Sequence, residues 1–136
     1  MTPAIVFRRA ASAGRVHGKA LGPVVILPHD APPHLVAHEL QHVRQWWVAM
    51  LASAAVLAAV AHIVPAVPYG VVALSVGVHG ALYRLAAFRF RVEAAAYAAS
   101  ARVAPDQIKL FARALASEHG TGRSVADCRE EIQSRV

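Results

Sequence analysis

The sequence predicts a mainly α domain with a short amino-terminal β-hairpin. An apolar helical hairpin is inserted between two helices that carry polar chemistry. Three observations lead there. Two short β-type runs, Ala4–Phe7 and Pro23–Leu27, precede everything else. A breaker-free stretch then carries His38-Glu39-Leu40-Gln41-His42. From Gln45 to Tyr83 there is no Asp, Glu, Lys or Arg at all. A chain of 136 residues rarely builds two cores, so residues 1–136 are read as one domain. It divides into a β-type segment (1–30), the start of a motif helix (31–45), the apolar hairpin (46–83), a glutamate-bearing helix (84–103) and carboxy-terminal helices (104–136).

Composition narrows the class. Hydrophobic residues make up 57% of the chain and charged ones 16%, against roughly 45–50% and about 25% in an ordinary soluble domain. Disordered chains are polar and highly charged, so disorder is excluded. One cysteine, Cys128, rules out a disulfide framework within the chain. The formal net charge of +6 is concentrated in residues 1–44 and 84–113. Those charges are spread along the chain without an aromatic-interleaved patch, which favours anionic lipid over nucleic acid as the partner.

In the β-type segment, Gly14, Gly18 and Gly22 punctuate the chain between the two runs. After Arg8-Arg9 the stretch AASAGRVHGK is too short and polar for the apolar region of a secretory signal. The expectation is therefore an amino terminus that stays inside, with the paired arginines on the surface or against lipid headgroups.

Asp30-Ala31-Pro32-Pro33 marks a helix start, because proline suits the first turn and no later breaker follows. His38 and His42 are four apart, so they lie on one face of that helix about one turn from each other. Both imidazoles can then reach one ion. Zinc accepts nitrogen ligands, and a catalytic zinc keeps a position for water. Glu39 beside the first ligand can take a proton from that water without binding the metal. His34 extends the stripe by one turn, too far along a straight helix to share the ion, and is expected at the entrance or in outer contacts.

The uncharged stretch suits two crossings of a bilayer, each of about 20 apolar residues. Trp46–Val64 forms the first arm and Val67–Tyr83 the second, with Pro65, Pro68 and Gly70 at the reversal. Trp46, Trp47, Tyr69 and Tyr83 fall near the ends, where amphipathic rings favour the headgroup zone. Arginines flank the hairpin and none lies in its turn, which places both termini in the cytoplasm by the positive-inside rule. The competing reading is a buried hairpin in a soluble cytoplasmic oligomer, since much of the apolar content is alanine and Gly77 and Gly80 permit close packing. His62 and His79 are expected to be packed or pore-lining rather than metal ligands.

A third ligand has to come from another element. Glu93 is the acid set within an apolar helical run, Ala86–Ala99, and a buried lone acid is costly unless it is paired or binds a metal. The hairpin also returns the chain to the side it left, beside the motif helix. The competing role for Glu93 is a salt bridge to Arg89.

An HExxH helix leading into an apolar hairpin and then a glutamate helix resembles the HtpX-like and CAAX-prenyl-endopeptidase group of membrane zinc metallopeptidases. HELQHVRQW looks like that group's motif helix, and RFRVEAAAYAAS like its glutamate helix. The likeness covers Val36 to Ala99, under half of the chain. HELxHVRQ with an ExxxY helix is also similar to small bacterial and phage zincin-like proteins. The resemblance implies a minimal zincin-like domain with a gluzincin site: Zn2+ held by His38, His42 and Glu93, with Glu39 as general base. Where the family carries an aspartate four residues after the ligand glutamate, this chain has Tyr97. A phenol there can hydrogen-bond an imidazole or help hold an oxyanion. The family's additional amino-terminal membrane segments have no counterpart here. Zincins also place an edge strand beside the motif helix, a role open to Ala20-Leu21-Gly22 or Val24-Val25-Ile26.

Beyond Ser100, Pro105-Asp106 opens a helix to about Ser117 with Ile108, Leu110, Phe111 and Leu115 as apolar contacts, and Gly120 and Gly122 end it. Ser124 with Asp127 reads as a capping box opening a last helix. Cys128 stands outside any motif and is read as inert. The expected activity is zinc-dependent hydrolysis of a peptide or protein at a bilayer, with a homo-oligomer compatible. The alternative is a non-catalytic membrane or assembly protein with a structural or vestigial zinc site.

Overall fold

A computed structural model describes residues 3–9, 18–119 and 122–136. Gly14 and Gly120, two of the expected punctuating glycines, lie outside them. Three strands come first: β1 (Ile5–Arg9), β2 (Lys19–Leu21) and β3 (Val24–Pro28). They form one sheet in the order β1-β3-β2. The hairpin is β2–β3, antiparallel, and it turns at Gly22, whose φ of +61° is a conformation that glycine adopts without strain. The two apolar runs of the sequence, β1 and β3, instead pair in parallel, Ile5 beside Val24 and Phe7 beside Ile26. The antiparallel partner comes from the less apolar Lys19–Leu21.

Helix α1 runs without interruption from Pro33 to Ile63, 31 residues, or about 47 Å. The motif helix and the first arm of the apolar hairpin are thus one rod. Pro33 occupies its first turn, where a missing N–H costs nothing. The amino-terminal half of α1 packs on the sheet through fully buried Val25, Leu27 and Val43.

The second arm differs from the straight helix expected over Val67–Tyr83. After the turn the chain makes a 3-10 segment, Tyr69–Leu74, and then α2 (Ser75–Leu82). Gly70 and Pro68 bracket its entry, and α2 spans eight residues before the chain bends by 85° into α3 (Ala86–Val103). Among the described residues one helix, α1, is long and apolar enough to cross a membrane, or two such spans exist if the bent pair is counted as one. Only 6% of the apolar window of α1 is buried within the chain. Leu51, Val56, Ile63 and Leu74 are 60%, 62%, 76% and 67% exposed.

A second core fills the space between α3, α4 (Ile108–Glu118) and α5 (Val125–Gln133), built on Phe90, Ala94, Ala98, Phe111, Leu115, Cys128 and Ile132. The α4 start follows a short 3-10 turn at Pro105–Gln107. Leu110, expected as a core contact, faces outward at 59% exposure. Ser124 and Asp127 form the capping box in both directions. Cys128 is fully buried.

Both tryptophans are tied to the chain by exposed hydrogen bonds. Trp47 Nε1 donates to the Pro3 carbonyl at 2.9 Å, and Trp46 Nε1 to the Val76 carbonyl at 3.3 Å.

Candidate metal centre

The centre lies where α1 and α3 run side by side. The two helices are antiparallel there: Ser100 Oγ donates to the His34 carbonyl at 2.9 Å, while Gln45 Nε2 donates to the Val92 carbonyl at 2.9 Å. This register sets Glu93 opposite His38 and His42. Glu93 is buried, as is Glu39.

Glu93 Oε2 is 3.6 Å from His38 Nε2 and 3.5 Å from His42 Nε2. The two imidazole Nε2 atoms are 3.2 Å apart. One ligand atom from each of His38, His42 and Glu93 lies within 4.8 Å of the others, so the group could hold a metal ion. The salt bridge to Arg89 does not form; Glu93 is turned to the histidines instead. Its Oε2 is buried without a hydrogen-bond partner. An orphaned carboxylate oxygen is costly in an apolar interior and calls for a cation. The donor set therefore fits a bound metal.

Neighbouring side chains fix the donors. Gln45 uses its amide N–H on Val92, so its Oε1 accepts from His42 Nδ1 at 3.0 Å. His42 Nε2 then carries the lone pair and points into the site. Glu93 Oε1 accepts from the Tyr83 hydroxyl. Burial pushes the Glu93 carboxyl up, but the facing imidazoles of His38 and His42 and the hydrogen bond from Tyr83 outweigh it and hold the group well below the ordinary carboxylate range. It stays ionised.

Glu39 faces the same cleft from the sheet side. Burial raises its pKa, partly opposed by His38 and His42, and it accepts a hydrogen bond from the Ala20 backbone. It is pressed against Gly18. A Cβ built there would lie 2.7 Å from both Cγ and Oε1 of Glu39, closer than real atoms approach.

The remaining expected residues take distinct places. Tyr97 packs edge-on to His38 with ring centroids 4.6 Å apart, and its hydroxyl lies 3.5 Å from His119 Nε2. Its hydroxyl thus meets the imidazole of His119, while its ring packs on that of the motif histidine His38. Burial raises the Tyr97 pKa, so the phenol keeps its proton. His34 lines the cleft with its ring 5.6 Å from that of Phe111, outside the metal group. His62 bonds Tyr69 at 3.2 Å at the far end of the hairpin, and His79 lines the cleft from α2.

Three contributors are not evident from the sequence: His119, whose Nε2 lies 3.5 Å from Glu93 Oε2, Tyr83 and Gln45. Gln45 had a signal, being one turn along from Gln41 and three residues past His42. His119 and Tyr83 sit at no fixed spacing from the motif, so no local pattern marks them.

His34, His38, Glu39, His42, Tyr83, Glu93, Tyr97 and His119 line one cleft of about 690 Å³, while Gln45 supports His42 from behind. Its lining includes His38, Glu39, His42 and Glu93, the stretch Gly18–Gly22, and His119. Strand β2 pairs with β3 along one edge, and its residues line this cleft. No known protein family, curated protein or solved structure matches the chain.

Proposed function

We propose that the chain is a membrane-associated zinc metallopeptidase that hydrolyses peptide bonds in the cleft between β2 and α3. The observation that carries this reading is the partnerless buried Glu93 Oε2 facing two imidazole nitrogens, with a second buried carboxylate, Glu39, beside them. Four ligand atoms around a zinc ion at 2.0–2.1 Å lie about 3.3–3.4 Å from one another in a tetrahedron. The separations of 3.2, 3.5 and 3.6 Å among His38, His42 and Glu93 are close to those edges. Three protein ligands also leave a position open, the mark of catalytic rather than structural zinc.

Zinc, when bound, supplies Lewis acidity to a carbonyl oxygen and brings the pKa of water towards about 7. The chain's own groups do the rest. Glu39 accepts the proton of the attacking water on its carboxylate and returns it to the nitrogen of the leaving amine, so that water is added across the C–N bond. Its raised pKa makes it the stronger base for the first of these transfers. Tyr97, kept protonated by burial, and His119 offer hydrogen bonds to the oxygen that becomes negative. The cleft edge of β2 offers backbone groups to an extended peptide.

Membrane association is supported by the exposed apolar half of α1 and by the absence of charge from Gln45 to Tyr83. In this reading Trp46–Ile63 and Tyr69–Leu82 enter the bilayer and the metal centre sits at its cytoplasmic surface.

The test is Glu39→Gln. The variant is expected to bind one zinc per chain like the wild type and to lose at least about 10²-fold in peptide turnover, the share general-base catalysis commonly supplies. Cleavage of a casein or fluorogenic-peptide panel at wild-type rate by this variant overturns the mechanism. A wild type that carries zinc but cleaves nothing in the panel favours the non-catalytic alternative.

A further inference from the structure

A second cavity, about 890 Å³, lies on the other side of α1, between α1, α2 and α3. Its long wall is apolar: Val48, Ala52, Val56 and Leu57 from α1, with Leu82 and Phe88 opposite. Its other end carries Arg44, Arg102 and Arg135. Arg135 is paired with Glu131. Among the described residues Arg44 and Arg102 have no carboxylate partner, and the Arg102 guanidinium donates to the Arg135 carbonyl. The groove is therefore amphiphilic along its length, with two uncompensated cations at one end and hydrocarbon at the other.

We infer that this groove binds one anionic phospholipid, its phosphate at Arg44 and Arg102 and an acyl chain along α1. The dimensions agree. Arg44 is the last charged residue before the uncharged stretch, which puts it at the level where phosphates lie. From Arg44 to Leu57 the helix rises about 20 Å, enough to follow a chain through the roughly 15 Å hydrocarbon depth of one leaflet. Arginine presents a planar fork of donors suited to phosphate. Charge also argues against a second copy of this chain as the occupant. A symmetric contact through the groove would bring the same arginines together, in a protein whose net charge is already +6. The site rests on the membrane part of the reading above and is independent of the metal centre.

The experiment is native mass spectrometry of the full chain purified in detergent and titrated with phosphatidylglycerol or phosphatidylcholine of identical acyl chains. The wild type is expected to retain one phosphatidylglycerol with a preference on the order of ten- to thirtyfold, which is what two arginines near an anionic group supply. Arg44→Gln with Arg102→Gln should abolish the preference. Ala52→Trp, at an exposed position, should block the chain end of the groove and lower occupancy by both lipids while leaving the arginines in place. Arg91→Gln, a charge change on the exposed face of α3 outside the groove, should leave the preference intact. Equal occupancy by the two lipids in the wild type overturns the site. So does a preference that Arg91→Gln removes equally, or a dimer that excludes lipid. Carbonate extraction separates the two levels of failure. A protein that leaves the membrane pellet defeats the membrane reading, whereas one that stays in the pellet and shows no lipid preference defeats this site alone.

Discussion

At the scale of single residues, Glu93 decides the character of the site. One of its oxygens is held by Tyr83 and the other faces His38, His42 and His119 with no hydrogen bond of its own. The Tyr83 contact orients the carboxylate so that Oε2 points at the histidines. Partners that orient metal ligands are typically worth 10- to 100-fold in affinity. Tyr83→Phe keeps the ring and removes the hydroxyl, and it is expected to weaken zinc binding by about 10- to 100-fold in a competition titration with a chromophoric chelator. Affinity unchanged from the wild type would show that the hydroxyl does not position Glu93. Much of this site is legible from the sequence because the motif's chemistry is local. His38, Glu39 and His42 are fixed by helical spacing, and Glu93 is betrayed by being an acid in an apolar run. Gln45, Tyr83 and His119 are not legible in the same way, because their roles depend on the register of α1 against α3 and on where the α4 end falls.

Among elements, the close approach of the strand β2 to the helix α1 shapes the cleft. Gly18, just before β2, leaves room for the Glu39 side chain, and the Ala20 backbone holds that side chain by a hydrogen bond. Gly18→Ala would put a methyl group into the Cγ of Glu39, close to its root rather than its movable tip. The expected result is a fall in turnover of at least about tenfold, given how steeply rate depends on sub-ångström placement, with zinc content unchanged, since His38, His42 and Glu93 are not displaced. Loss of zinc in that variant would place Gly18 in the metal site's architecture instead. The sequence exposes the apolar runs of β1 and β3 but not their parallel pairing, since their partner choice depends on the turn at Gly22 and on the shorter Lys19–Leu21. It also shows where the hairpin reverses, but not that the second arm begins as a 3-10 segment and bends at Tyr83–Leu85. Alanine, glycine and valine fit either geometry, so composition does not choose between them; in the fold the Trp46 indole donates to the Val76 carbonyl of α2.

Considered as a whole molecule, the described residues form two core clusters and an apolar hairpin. The sheet with the start of α1 forms one core, and α3, α4 and α5 form the other. The rest of α1 packs against the Tyr69–Leu74 segment and α2 and leaves much of its apolar surface outward. In water such a surface calls for a cover, which the proposed membrane reading supplies as lipid. The chain is therefore expected in the membrane pellet of expressing cells, resistant to carbonate at high pH and released by detergent. A carbonate-soluble oligomer with the hairpin at its centre would contradict this, and would restore the soluble alternative that the alanine content allows.

The most direct measurement is zinc per chain, by elemental analysis of the purified wild type and of Glu93→Ala after dialysis against a weak chelator. The expected result is about one zinc for the wild type, as a three-ligand site requires, and little or none for the variant. Equal zinc in both proteins, or none in either, would contradict the convergence of His38, His42 and Glu93 on a single ion.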